Sequence, residues 1–370
     1  MTTGNPALIE LIRETIRAQG PQSFAWFMQQ ALYHPEHGYC AAGHCAIGRR
    51  GDYFTNVSVG PLFGQLLAAQ FAEIWGRLGK MNDFIIVEQG AHDGQFARDV
   101  LEFVQKRLPD FFDALRYRIV EPFPILQDRQ RQRLEAFRDK VDWSSSLQPF
   151  TGVHFSNELL DSMPARVMSD GGEKFVGLDG DNFTFVERPI DADRKSHEAA
   201  LAWIDEIAAN LQRGYVIAID YGRLGEGVQR NVQVRAQHRS LSSPFEQIGE
   251  ADITMPVDWT SIVDRAEANG LHVAGFTDQH HFLTGIISMW PDLLEARPSN
   301  STASSAQLQD ARAERKIKRA LQTLLHPEML GRAFQVLALA KNAGSGAPRL
   351  AGFKFARGAC SLLGLKNPNQ

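Results

Sequence analysis

The chain has 370 residues, 44% of them hydrophobic and 22% charged, and it carries a formal net charge of −4 with a pI near 6.3. This composition can bury a sizeable core, and it lacks the basic footprint of most nucleic-acid-binding proteins, so no nucleic-acid partner is predicted. The odd number of cysteines, three, favours a reducing compartment. No stretch has the length and apolarity of a membrane span, so we predict a cytoplasmic protein that does not bind membranes.

The first 80 residues are predicted to form a helical region with a long loop. Apolar side chains recur at helical spacing in three segments, residues 6–18, 23–32 and 61–78. Residues 33–56 are rich in Gly and His and show little periodicity, which predicts a long loop. Glu10 and Glu14 in the first helix fit poorly with a transit peptide, in agreement with the predicted cytoplasmic location.

The middle of the chain alternates short apolar runs with helical patterns. Strands are predicted at residues 83–88, 116–121, 152–157 and 215–220, and helices at 95–107, 125–137 and 198–211. Apolar runs at 271–276 and 333–340 complete the set. Continuously apolar strands that alternate with helices indicate an α/β fold, in which helices cover both faces of a doubly wound, Rossmann-like parallel sheet.

Five segments follow from this pattern. The core is expected over residues 81–223, with a hairpin insertion near 165–188 because Asp-Gly-Gly at 170–172 is typical of a turn. Polar, Gly-rich residues begin an inserted lobe at 224–270, the remainder of the core spans 271–345, and a tail spans 346–370. A basic stripe at Arg129, Arg131 and Arg133 is interpreted as the solvent face of a helix.

Candidate ligand-binding residues follow the predicted strands, because open α/β sheets bind ligands at the carboxyl ends of their strands. The first strand leads into Glu88-Gln89-Gly90-Ala91-His92-Asp93-Gly94, where glycines allow close approach of the backbone to a ligand. This loop alone fits a structural turn equally well. The second strand ends at Glu121, the position of the acid that accepts ribose hydroxyls in many nucleotide-binding folds, although a surface glutamate is the alternative. Loop and acid together favour an adenosine ligand.

A further group of polar residues follows two later strands. Asn157, Glu158 and Asp161 come directly after one strand, and Asp220 ends another. Burying such groups without partners costs several kcal/mol, so a functional site or a hydrogen-bonded turn must account for them. A helix cap from Ser156 or Asn157 is the simpler alternative.

These motifs together resemble the MidA-like family of class I S-adenosylmethionine (SAM)-dependent methyltransferases, which includes the mitochondrial complex I assembly factor that methylates an arginine. The matching segments are Gly51-Asp52-Tyr53-Phe54-Thr55, Pro61-Leu62-Phe63-Gly64, EQGAHDGQFARDVL, IVEPFPILQDRQ, SNELLDSMP, IDYG, the run 235–239 and GEADITMPVDW. They cover roughly residues 25–340 in the family's order, which is far more specific than any one of them.

The resemblance implies SAM as the cofactor and a class I methyltransferase sheet. It places Gly90 and Gly94 along the methionine half of SAM and Glu121 at its ribose. We assign Glu88, His92 and Asn157 to the same cofactor site. His92 stands where many members have a third glycine, and its side chain is expected either to contact SAM or to change the path of the loop.

The resemblance also implies an acceptor pocket. Residues 157–164 would face the methyl group, and residues 51–55 would close over the site as a lid. The predicted pocket residues are Asp52, Tyr53, Thr55, Tyr221 and His238, the last on the inserted lobe together with residues 252–254. If the acceptor is a guanidinium nitrogen, such as that of a protein arginine, carboxylates must neutralise and orient it. Glu158 and Asp161 are the catalytic candidates, with Asp220 as a weaker third.

Three other interpretations of the sequence differ in how well they fit its motifs. His34, His37, Cys40, His44 and Cys45 match no standard zinc spacing, so no metal is predicted. A nicotinamide dehydrogenase is disfavoured, because the loop lacks G-x-G-x-x-G and the acid lies farther along than the expected ~20 residues. A non-catalytic SAM-binding or assembly factor that acts through a protein partner stays open, because an active and an inactive site can differ by one side chain. The sequence leaves the oligomeric state undetermined.

Overall fold

A computed structural model describes residues 2–41, 55–189, 197–223, 232–237, 239–294, 304–344 and 349–356. The helices are α1 (Pro6–Gln19), α2 (Phe24–Tyr33), α3 (Leu62–Arg77), α4 (Gln95–Arg107), α5 (Pro109–Ala114), α6 (Pro124–Arg133), α7 (Glu198–Asn210), α8 (Trp259–Ala268), α9 (Gln279–Met289) and α10 (Ser304–Leu325). The strands are β1 (Gln22–Ser23), β2 (Phe84–Gln89), β3 (Leu115–Val120), β4 (Val141–Ser144), β5 (Phe150–Asn157), β6 (Val167–Ser169), β7 (Gly172–Asp179), β8 (Asn182–Arg188), β9 (Leu211–Arg223), β10 (Gln233–Ala236), β11 (Arg239–Ser240), β12 (Asp252–Thr254), β13 (Val257–Asp258), β14 (His272–Asp278) and β15 (Phe334–Lys341). None of the helices in these ranges is long and apolar enough to cross a membrane.

The central sheet has the strand order β14-β15-β9-β5-β2-β3-β4, and β13 pairs with the end of β9. From β4 to β9 neighbouring strands are parallel, so their carboxyl ends meet at one edge. β15 runs antiparallel to both β9 and β14. The prediction of an all-parallel sheet is therefore wrong at this end, because a strand buried on both faces shows the same continuous apolar run in either direction.

Helices cover both faces of this sheet and create two apolar cores. On β9, Ile217 and Ile219 contribute to a core with α3, α4, α9 and α10, whereas Val216 and Ala218 contribute to a core with α7 and α8. In the first core the rings of Phe96 and Phe155 stack with their centroids 4.4 Å apart. This arrangement confirms the doubly wound, Rossmann-like α/β fold.

A third core belongs to a lobe that we define as α1, α2, β1, β6–β8 and β10–β12. The side chain of Asn5 caps α1 by accepting the N–H groups of Ala7 and Leu8, and the apolar face of the helix is buried. Apolar residues from the three parts of the lobe meet in one cluster that includes Leu8, Phe27, Val176, Phe183 and Ile253. The lobe therefore joins segments far apart in the sequence, and the predicted boundaries at residues 80 and 224 stay predictions.

Candidate functional site

A cavity of about 890 Å³ opens where the carboxyl ends of the parallel strands face the lobe. This volume lies in the upper part of the range of about 300–1,000 Å³ found for small-molecule sites. Of the predicted site residues, the lining includes Thr55, Glu88, Gly90, His92, Glu121, Asn157, Glu158, Asp161 and Tyr221. Gly94 and Asp220 do not line the cavity.

The glycine loop, residues 90–94, connects β2 to α4 with three residues in the left-handed region. The φ angles are 79° at Gly90, 49° at His92 and 80° at Gly94. A Cβ atom at Gly90 would lie 3.3 Å from Leu159 Cδ1, so glycine satisfies both the backbone conformation and the close approach. His92 adopts a conformation that favours glycine, which agrees with its unusual place in the motif.

The carboxylate of Glu121 is buried at the end of β3 and its position is fixed by several donors. Oε1 accepts the N–H of Phe123 at 3.0 Å, and Oε2 accepts Nε2 of Gln130 at 3.1 Å. Glu121 also lines the cavity, and an ionised carboxylate is an acceptor for hydroxyl donors such as those of a ribose.

α6 is packed against the glycine loop. Arg133 on this helix pairs with Asp93, with Nη2 and Oδ2 2.6 Å apart, and Arg131 lies over the ring of Trp143. Arg131 is exposed, in agreement with the interpretation of the arginine stripe as a solvent face, whereas that interpretation is wrong for Arg133, which is half-buried against the glycine loop. The one-letter pattern of a polar helix does not distinguish a face turned to water from one turned to a polar loop.

Glu88 is buried at the end of β2, where Oε2 accepts the hydroxyl of Tyr117 at 2.7 Å. Burial raises the pKa of Glu88 to about 8, although the hydrogen bond from Tyr117 opposes this shift.

Asn157 and Glu158 are linked to residues 55–58 by hydrogen bonds. Asn56 Nδ2 donates to Asn157 Oδ1 at 2.9 Å, and Asn157 Nδ2 donates to Glu158 Oε1 at 2.8 Å. Asn56 is itself held by Gln279 Nε2 from α9 at 2.8 Å. Thr55, which precedes it, is buried and hydrogen-bonds Ser58.

Asp220 anchors the turn after β5. Its Oδ2 accepts the N–H groups of Leu159, Leu160 and Asp161, and its Oδ1 accepts that of Tyr221. Asp220 is fully buried. Its carboxylate is thus directed at the backbone of the turn that carries the other acids.

The acidic group, which we define as Glu158, Asp161 and Asp252, lines the part of the cavity next to the lobe. Burial raises the pKa of Glu158 to about 8, and burial together with the charges of Asp220 and Asp252 raises the pKa of Asp161 well above its usual value. These acids repel one another in a poorly solvated place, so a cation that enters the cavity would be stabilised there.

Several functional positions were not predicted from the sequence. Tyr33 on α2 lines the cavity, and its hydroxyl donates to the carbonyl oxygen of Ser162 at 2.9 Å. Arg235 on β10 also lines it, and its direct strand partner is Asp252. Asn56 and Gln130 carry hydrogen bonds that orient predicted residues. Five residues singled out in the sequence lie outside the described part of the chain: Asp52, Tyr53, His238, His44 and Cys45. Within the described part, no three or more His, Cys, Asp or Glu side chains are arranged so that they could hold a metal ion.

The doubly wound sheet and the cavity at its strand ends define a class I methyltransferase fold. The profile of the family described as "Putative S-adenosyl-L-methionine-dependent methyltransferase" matches residues 66–199 and 195–277, which is more than half of the chain. The chain belongs to this family, and the resemblance to MidA-like methyltransferases is confirmed. It is a SAM-dependent methyltransferase.

Relatives and solved structures agree with this assignment. A Drosophila melanogaster protein named "Protein arginine methyltransferase NDUFAF7 homolog, mitochondrial" is 24% identical, over 91% of this chain and 85% of its own length. The Xenopus tropicalis protein of the same type is 27% identical, over 76% of this chain and 75% of its own length. A crystal structure from Burkholderia thailandensis, bound to S-adenosyl-homocysteine (SAH), is 27% identical with a TM-score of 0.83 and covers 98% of this chain and 100% of that chain.

The predicted cytoplasmic location is contradicted by these relatives, which are named as mitochondrial proteins. A low cysteine content indicates a reducing compartment but does not distinguish one reducing compartment from another, so the three cysteines could not establish a cytoplasmic location.

Proposed function

We propose that this methyltransferase transfers its methyl group to a guanidinium nitrogen, and that the acceptor is an arginine side chain of a protein. The observation that carries the proposal is the acidic group, Glu158, Asp161 and Asp252, which lines the cavity beside the strand ends. The names of the relatives, which are protein arginine methyltransferases, support it. Paired carboxylates are the natural partners of a planar guanidinium.

The residues at the other end of the cavity fit the cofactor. The glycine loop offers backbone without Cβ atoms at Gly90 and Gly94, next to the start of α4, where a carboxylate group is stabilised. Glu121 offers a carboxylate for the ribose hydroxyls, and Asn157 lies between this end and the acidic group. The cavity volume of about 890 Å³ is large enough for an adenosine ligand and an acceptor side chain together.

Bound SAM supplies a methyl group on a positively charged sulfur, and its product after transfer is SAH. In the proposed reaction, Glu158 and Asp161 hold the guanidinium so that one nitrogen points along the line of attack. The bound cation favours the ionised form of Glu158, which releases its proton to solvent when the acceptor binds. When the new carbon–nitrogen bond forms, the attacking nitrogen must lose a proton, and the Glu158 carboxylate accepts it as a stronger base than an ordinary glutamate, because burial raises its pKa to about 8.

Asp220 has a different proposed role. Four backbone N–H groups already occupy its carboxylate, and it does not line the cavity. We assign it to positioning the turn at residues 159–161 in place of the catalytic contact predicted from the sequence.

The test combines Glu158→Gln and Asp161→Asn with two readouts. SAH affinity is measured by titration calorimetry, and transfer of labelled methyl to proteins is measured in a lysate of cells that lack this enzyme. Both variants should bind SAH with wild-type affinity and lose methyl transfer. Glu250→Gln, at an exposed acid of the lobe, is the control and should keep both. Wild-type turnover in Glu158→Gln and Asp161→Asn would reject the proposed acceptor site.

A further inference from the structure

Gln130 on α6 is a fully buried amide between the two ends of the proposed cofactor site. Its Nε2 donates to the carbonyl oxygen of His92 in the glycine loop at 2.9 Å and to Oε2 of Glu121 at 3.1 Å. Its Oε1 accepts the indole N–H of Trp143 at 3.0 Å. One side chain therefore connects the glycine loop to the acid at the end of β3.

The orientation of this amide is fixed by chemistry. The Trp143 indole is only a donor, so it must meet the oxygen of Gln130, and the two N–H groups must then point to His92 and Glu121. The second carboxylate oxygen of Glu121 is held by the N–H of Phe123 at 3.0 Å. Donors on both oxygens thus define the plane of the Glu121 carboxylate.

The glycine loop is shaped to admit this contact. A Cβ atom at Gly94 would lie 3.3 Å from Leu134 Cδ1 and 3.5 Å from Gln130 Cα, so the absence of a side chain lets α6 approach the loop. The ion pair between Arg133 and Asp93, with Nη2 and Oδ2 2.6 Å apart, adds a second link between the same two elements.

We propose that Gln130 is a positioning residue that aligns the Glu121 carboxylate with the ribose hydroxyls of the cofactor and holds it at a fixed distance from the glycine loop. This inference rests on the proposed placement of the ribose at Glu121. In this role Gln130 does not contact the cofactor, but it determines how strongly Glu121 prefers a ligand that carries the ribose hydroxyls.

The test measures recognition of the ribose hydroxyl itself. SAH and its 2′-deoxyadenosyl analogue are titrated into the wild-type protein and into Gln130→Met by calorimetry, and the ratio of the two dissociation constants is compared. The wild-type protein should prefer SAH. In Gln130→Met this preference should fall by roughly three- to tenfold, the equivalent of one hydrogen bond. A merely structural role would weaken both ligands equally and leave the ratio unchanged.

Two variants make the result specific. Gln127→Met is the matched control, because Gln127 is a half-buried glutamine on the same helix that donates to the backbone oxygen of Glu121 at 2.7 Å. It should keep the wild-type ratio. Trp143→Phe removes the donor that fixes the Gln130 amide and retains a smaller aromatic ring beside Arg131. It should reduce the ratio in the same direction but less, and it carries the test if Gln130→Met does not fold.

Glu121→Gln tests the ribose placement at Glu121 separately from the role of Gln130. A wild-type ratio in Gln130→Met, or in Trp143→Phe where that variant replaces it, combined with a reduced ratio in Glu121→Gln, would overturn the role of Gln130 while leaving the ribose site in place. A wild-type ratio in Glu121→Gln would overturn the ribose placement, and the inference with it.

Discussion

If Asp220 positions the turn at residues 159–161, its substitution should lower the stability of the protein, and any loss of methyl transfer should follow from that. Oδ2 accepts the N–H groups of Leu159, Leu160 and Asp161 at 3.1, 2.8 and 3.3 Å, and Oδ1 accepts that of Tyr221 at 2.7 Å. Asp220→Ala removes all of these acceptors at once. The turn at residues 159–161 then loses these hydrogen bonds to β9.

The size of the effect follows from the number of donors left without a partner. A buried N–H without an acceptor costs about 1–3 kcal/mol, and the lower value applies here because the cavity lets water approach the turn. Asp220→Ala should therefore lower the free energy of unfolding by about 4 kcal/mol. Asp220→Asn keeps one oxygen and no longer buries a charge, so its cost should be about 2 kcal/mol. Burial raises the pKa of Asp220 to about 7, which means that the charge is expensive to keep in the wild-type protein.

Urea unfolding followed by circular dichroism measures both values, with SAH calorimetry and methyl transfer measured on the same samples. Asp142→Asn on β4, where the carboxylate is half exposed and pairs with Arg118, is the control and should change stability by about 1 kcal/mol or less. If Asp220→Asn unfolds at the wild-type urea concentration, binds SAH normally and has no turnover, then Asp220 acts on the acceptor and the positioning role is wrong.

Two further predictions concern pH and the glycine loop. Because burial raises the pKa of Glu158 to about 8 from its usual 4.5, its contribution to stability is present below pH ~4.3 and is lost as the pH rises toward 8. Between pH 5 and 8.5 the wild-type protein should thus lose about 4 kcal/mol more than Glu158→Gln in urea unfolding, and a larger loss in the variant would contradict this. Gly90→Ala should destabilise the protein by about 1–2 kcal/mol and weaken SAH binding, because φ is 79° and the added Cβ would contact Leu159. His92→Gly should change the free energy of unfolding by no more than about 1 kcal/mol, since His92 already has φ of 49°; a loss as large as that of Gly90→Ala would refute this account of the loop.

The parts of the fold that were predicted correctly are those in which one physical signal dominates. β2, β5 and β9 are buried on both faces, so their apolar runs stand out against the polar helices around them. β4 was missed because it has only four residues and lies at the edge of the sheet, where half-exposed positions interrupt the apolar pattern. β10 and β12 were missed for a related reason, since three or four residues are too few to establish an alternation.

Some site residues could be predicted from their place at the end of a strand, whereas others are brought to the site only by the folded structure. Glu121 and Glu158 were identified because parallel strands end at the same edge, so their position in the chain nearly determines their position in space. Gln130 and Asn56 gave no such signal. A glutamine on a polar helix and an asparagine in a loop are common in solvent, and only the fold brings them to Glu121 and Asn157.

The two ends of the cavity depend on separate hydrogen-bond systems. At the cofactor end, α6 connects Glu121 to the glycine loop through Gln130. At the acceptor end, Asp220 holds the turn after β5, and the N–H of Met255 in the lobe donates to the carbonyl oxygen of Asp161 at 2.8 Å. Since the two systems share no side chain, substitutions in one should leave the ligand affinity of the other unchanged. In the proposed placement the lobe shapes the acceptor end, whereas the sheet and α6 shape the cofactor end, so we expect a change of acceptor to leave the cofactor contacts unchanged.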